Sequence, residues 1–293
     1  MMTVRYGPLV RLVVFIAGAA ASLVAAIVAG SAAIGVLGGM RPLAGMALIS
    51  ALASAGMLLV TMALRRLGGA GLEALGLPGD GRRFGELAAG FVITSTLFLA
   101  VAAVQSAMVG ATWQFTGLRG LAGALADLPL VLCLVLAEEL LFRGAALRSL
   151  RELAGDRWAI VLTAVAFGLY HVLGTQYWAM GLAFQFLMPT IGGLLFAWAA
   201  VRSGGLALPI GLHLGGNWVQ ASVAVFGPQA TPGATEATAG LWRIPISASD
   251  VQVLTAPDIL PRLPLVLAFA IAAALTWRWL GRSDPQLLAA PKQ

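Results

Sequence analysis

Residues 9–37 read LVRLVVFIAGAAASLVAAIVAGSAAIGVL, an apolar run with Arg11 as its single charge. As a helix it would extend about 43 Å, more than the roughly 30 Å of hydrocarbon in a bilayer. It is also too long for the apolar core of a secretory signal, which runs to about 7–15 residues. The stretch reads as a retained membrane-spanning helix. Further along lie Leu43–Leu64, Leu87–Val109, Leu121–Phe142, Trp158–Leu173, Tyr177–Val201, Leu206–Phe226 and Leu263–Leu280, each apolar. Trp158–Leu173 is short; either the polar Thr175–Gln176 end extends it or it is buried inside the bundle. The 293 residues are 60% hydrophobic and 10% charged, against about 25% charged in soluble domains. Such a chain cannot cover a water-facing surface. The expectation is an all-α polytopic membrane protein of about eight transmembrane helices, forming one domain over 1–293 without internal repeats.

Charge orients the spans. With the N-terminus inside, fourteen basic residues fall on one side: Arg5, Arg11, Arg65, Arg66, Arg82, Arg83, Arg143, Arg148, Arg151, Arg157, Arg202, Arg278, Arg282 and Lys292. The other side holds Arg41, Arg119, Arg243 and Arg262. The positive-inside rule then places both termini in the cytoplasm, in what reads as a bacterial plasma membrane. The net charge of +6 belongs to this pattern and forms no stripe for nucleic acid. The lone Cys133 excludes an intrachain disulfide and any Cys-rich metal site. A glycine-rich connection, Leu67 to Gly85, joins the second and third runs on the inner side. Gly227–Pro261 is the longest external loop and lacks apolar periodicity. Gly35–Gly39 and Gly211–Gly215 have the GxxxG spacing that lets helices approach closely.

Ionisable groups inside a span cost about 2.5–3.5 kcal/mol each on insertion scales and mark functional sites. Of twelve acidic residues, Glu138 and Glu139 lie well inside a run, while Asp127 sits near a helix start. Both histidines, His171 and His213, also lie within runs. Counted from Arg148, Arg157 and Arg202, Glu138, His171 and His213 lie about 15, 21 and 16 Å deep. They can share one polar cavity. Glu139 and Arg143 are i,i+4 and can pair on one face, which turns Glu138 about 100° away. An unpaired carboxylate at low dielectric suits a general base. His213 and Asn217 repeat the i,i+4 spacing, as do Phe167 and His171.

The three segments, Glu138-Glu139-Leu-Leu-Phe-Arg143, Phe167-Gly-Leu-Tyr-His171 and His213-Leu-Gly-Gly-Asn217, resemble the EExxxR, FxxxH and HxxxN/D motifs of the CPBP family. This family comprises CAAX proteases, among them the Ras-converting CAAX endopeptidase, and bacteriocin-processing or Abi proteins. The resemblance covers roughly 121–226, the catalytic helices. It implies a glutamic intramembrane endopeptidase in which Glu138 and His171 activate a water. His213 and Asn217 would stabilise the oxyanion, and Glu139, Arg143 and Phe167 would support the site. It implies no cofactor, with membrane lipid and a peptide or lipidated protein as partners. A related mechanism would use Glu138, His171 and His213 as ligands of a catalytic zinc. Two functions of a different class also fit buried Glu and His: a proton-coupled transporter, and a non-catalytic membrane scaffold, for instance one conferring immunity to a bacteriocin by binding.

Overall fold

The computed structural model describes residues 6–173, 182–228, 240–255 and 260–283. Thr175–Gln176, the start of the sixth run, residues 229–239 and 256–259 of the 227–261 loop and both chain ends lie outside these residues. The helices are α1 (Pro8–Leu37), α2 (Pro42–Leu64), α3 (Gly81–Met108), α4 (Gly117–Arg143) and α5 (Ala145–Leu173). They continue with α6 (Leu182–Ser203), α7 (Ala207–Trp218), α8 (Ala248–Thr255) and α9 (Leu263–Ser283). Three short strands accompany them: β1 (Gln114–Phe115), β2 (Ala224–Pro228) and β3 (Trp242–Ile246).

Among the described residues, six helical stretches are long and apolar enough to cross a membrane. One of them runs 56 residues from Gly117 to Val172 and contains two helices. Gly144, with φ −73° and ψ −124°, separates α4 from α5. A Cβ there would lie 2.4 Å from the Leu140 carbonyl oxygen, so a side chain cannot be accommodated without moving the backbone. Within α5, Gly155 at φ 78° sets a further break between an arginine-bearing first part and the apolar second part. The second part is not buried in the bundle: Trp158, Leu162 and Leu169 are exposed, as befits a lipid-facing span.

Lipid-facing valines and leucines cover α1 and α2 outside, while Phe15, Ala19, Ala53, Met57, Val131 and Val135 pack inside. Polar groups are gathered inward because lipid offers them no partner. At the centre sits α7, buried from Ala207 to Gly216 and packed along α3, α4 and α6. Gly211 and Gly215 make this possible. A Cβ on Gly211 would stand 2.1 Å from the Leu87 carbonyl oxygen, and one on Gly215 would stand 2.4 Å from that of Phe91. A Cβ added to Gly35 or Gly39, the other GxxxG pair, would meet nothing within 4 Å, so no close helix approach depends on it.

Two features depart from the sequence reading. The run Leu206–Phe226 is not one helix: α7 stops at Trp218, a π turn spans Val219–Val223, and Ala224 begins β2. The described part of the 227–261 segment also carries regular structure that its composition does not suggest. In it β3 pairs in parallel with β2 and antiparallel with β1, giving the order β1-β3-β2. Helix α8 follows, with a reciprocal cap: the Ser247 amide donates to Asp250 at 2.7 Å, and the Asp250 amide donates to the Ser247 hydroxyl at 3.2 Å. That backbone donor holds the Asp250 carboxyl below its ordinary range.

The charged contacts keep the two sets of basic residues apart. Arg11 of α1 pairs with Glu152 of α5, Arg148 donates to the Ala74 carbonyl, and Arg83 donates to Glu86 and to the Ser203 carbonyl. From the smaller set, Arg41 pairs with Asp127, which also accepts from Ser222 at 3.0 Å. Asp127 is therefore a buried tether between α2, α4 and the turn after α7.

Candidate active site

Helix α4 delivers three charged groups to the bundle centre. Glu139 and Arg143, one turn apart, meet at 3.1 Å with both side chains completely buried, as their spacing predicted. Arg143 also donates to the Gly193 carbonyl of α6 at 3.3 Å, and its guanidinium lies 4.3 Å from the centre of the Phe167 ring. Hydrogen bonds and an aromatic face together accommodate a cation with no access to water.

The sequence could not reveal the next contact. The same Glu139 oxygen accepts from His213 Nδ1 at 2.9 Å, clipping α7 to α4. This bond turns His213 Nε2 the other way, to 3.5 Å from an oxygen of Glu138. His213 thus lies between two carboxylates, one at each ring nitrogen. Its ring stacks on Phe196 at 4.7 Å and meets Phe167 edge-on at 5.7 Å. Glu138 is partly exposed, at 21% of its side chain, and the oxygen facing His213 makes no hydrogen bond among the described residues.

His171 is held within α5. Its Nδ1 lies 2.9 Å from the Phe167 carbonyl oxygen, and its ring packs at 4.5 Å on the Phe167 ring. A carbonyl can only accept, so Nδ1 carries the proton and Nε2 of the neutral ring presents a lone pair. Phe167 therefore fixes His171 twice, through backbone and ring, while also covering Arg143.

His171, His213 and Asn217 line one cavity of about 320 Å³, together with Phe167, Phe196 and Gln185. Glu138 faces a second, smaller chamber of about 100 Å³ beside Ser50, Met57 and Tyr170. Its contact with His213 bridges the two spaces. Among the described residues no hydrogen bond joins Glu138 to His171; the imidazole that Glu138 approaches is that of His213. Nor does any group of three His, Cys, Asp or Glu side chains stand in metal-holding geometry among those residues, so Glu138, His171 and His213 form no such set. Sequence reasoning passed over Phe196, Gly193 and Gln185. Gln185, a buried amide within an apolar run, carried a signal that attention to ionisable groups alone did not use.

The bundle and this centre define a helical membrane protein in which carboxylates, imidazoles and an arginine converge away from water. Residues 120–219, about a third of the 293-residue chain, match the Rce1-like family of type II CAAX prenyl endopeptidases. All three motifs fall within that match, in agreement with the resemblance read from them. The match supports a CAAX-type intramembrane endopeptidase in general terms. No curated protein and no solved structure matched the chain.

Proposed function

We propose that this chain is an intramembrane endopeptidase that hydrolyses a peptide bond of a membrane-associated substrate, without a metal. The observation that carries the reading is the placement of His213 between Glu139 and Glu138, with His171 and Asn217 on the same cavity. A peptide entering that cavity meets donors and a base on neighbouring helices. A water held at Glu138 and at Nε2 of His171 loses a proton to one of them as its oxygen attacks the carbonyl carbon. The resulting oxyanion accepts from Asn217 and from His213 Nε2–H when that ring carries both protons. Its Nδ1–H is committed to Glu139, so only Nε2 is free to serve. Collapse of the intermediate breaks the C–N bond, and the proton taken from water passes to the leaving amine. Glu139 and Arg143 contribute by fixing His213, not by touching substrate.

Among the described residues the other carboxylates inside the bundle are tied up in pairs: Asp127 with Arg41, and Glu86 with Arg82 and Arg83. This arrangement favours one reacting centre over the ladder of groups that a proton relay needs. The substrate we propose is a peptide or lipidated protein segment presented from the arginine-rich side, which the charge bias makes cytoplasmic.

The test is incubation of proteoliposomes with prenylated and unprenylated C-terminal peptides, followed by mass spectrometry of the products. Release of a short C-terminal peptide by the wild-type chain, and its loss in His213→Ala, is the expected result. Peptides left intact in both lipid states, or cleavage surviving in His213→Ala, would contradict it.

A further inference from the structure

Behind the active site, at the arginine-rich end, lies a separate cavity of about 340 Å³. It shares no lining residue with the 320 Å³ cavity. Arg143, Arg148 and Arg151 line it with Gly144 and Gly205, and Glu73 is its one carboxylate. Glu73 is exposed, lies 3.6 Å from Arg65 and also acts on Arg148.

Carboxylates act on these arginines, Glu139 on Arg143 and Glu152 and Glu73 on Arg148, but at Arg148 none closes to an ion pair among the described residues. Arg148 and Arg151 are i,i+3 on α5, so like charges share one face. Arg151 reaches Asp156 at 2.7 Å, but both side chains are well exposed and such a pair is weak. Arg148 has no ion pair among the described residues; its hydrogen bond goes to the neutral Ala74 carbonyl. At the floor, Arg143 is completely buried, and its Nε has no hydrogen-bond partner among the described residues. A buried N–H without an acceptor costs about 1–3 kcal/mol. The break at Gly144 also starts α5 at this wall. The first-turn amides of a helix lack intrahelical acceptors and favour anions.

We propose that this cavity is an oxyanion site that takes a phosphate group, either the headgroup of an anionic lipid or free phosphate. Tetrahedral phosphate oxygens match the forked donors of Arg148 and Arg151 beside one space. A cavity of about 340 Å³ has room for such a group.

The experiment measures binding, so it stands apart from the peptidase reading. The full chain is placed in zwitterionic nanodiscs, and its thermal midpoint is followed while inorganic phosphate is titrated. A parallel series replaces part of the lipid with phosphatidylglycerol. A saturable rise in midpoint is expected in at least one series. Response to phosphate in zwitterionic lipid identifies the free ion, and response to phosphatidylglycerol alone identifies the headgroup. Arg148→Gln and Arg151→Gln should each weaken the apparent affinity about tenfold, the equivalent of one charged hydrogen bond. Arg66→Gln, an exposed arginine outside the cavity, should leave it unchanged. If Arg148→Gln fails to fold, Arg151→Gln, whose side chain is 37% exposed, decides alone. No saturable response in either series, or equal weakening by Arg66→Gln, would overturn the proposal.

Discussion

Replacing Glu139 by glutamine preserves shape and removes one charge at the most constrained point of the bundle. In the native chain one Glu139 oxygen receives Arg143 at 3.1 Å and His213 at 2.9 Å. The amide oxygen can still accept from both partners, but it carries no charge to balance Arg143, and the amide NH2 puts a donor where a carboxylate oxygen stood. Breaking a buried ion pair from one side costs about 3–5 kcal/mol, because the remaining charge is uncompensated. Arg143 keeps the Gly193 carbonyl and the Phe167 face; a cation–π contact is worth up to about 2 kcal/mol when desolvated. The net loss should therefore fall near the low end, about 3 kcal/mol, a large part of a stability typically near 5–15 kcal/mol. Denaturation of the purified protein in detergent should show a lower midpoint with an unchanged slope. The double variant Glu139→Gln/Arg143→Met, which removes both charges, should recover part of the loss. A Glu139→Gln midpoint equal to wild type would refute this reasoning, as would a double variant less stable than the sum of the two single changes.

Asn217→Ala should lower kcat by about 10²–10³ with little change in KM, since one oxyanion donor is lost; steady-state kinetics on the cleaved peptide decide it. Activity should survive exhaustive chelation, and metal analysis of the purified protein should find no stoichiometric zinc. Zinc whose removal abolishes cleavage and whose return restores it would install a metalloprotease mechanism instead. In a Cys133→Ser background, cysteine at Leu118 should react with an impermeant thiol reagent added outside, and cysteine at Gly79 only after the membrane is opened. Labelling of both from one side would defeat the eight-span topology.

Legibility in the sequence followed the range of the interaction. The Glu139–Arg143 pair was readable because helical spacing alone brings i and i+4 together. The inward placement of Glu138, His171 and His213 was readable because lipid penalises charge. The bond from His213 to Glu139 was not, since residues 74 positions apart on two helices meet only through tertiary packing. Asp127 illustrates the same limit: its position near a helix start was visible, its pairing with Arg41, which caps α2, was not. The end of α7 was hidden for another reason: Val219 to Phe226 is apolar and rich in β-branched residues, compatible with helix or strand. Strand pairing with Trp242–Ile246 decided the matter.

The central claim is that of two adjacent glutamates, Glu138 handles the proton of the hydrolytic water while Glu139 holds the scaffold. Turnover of Glu138→Gln in proteoliposomes, measured beside its folded yield and thermal midpoint, tests it most directly. The expected result is a fall in kcat of about 10²–10⁴, the usual contribution of a general base, with yield and midpoint close to wild type. Wild-type turnover in Glu138→Gln would contradict it.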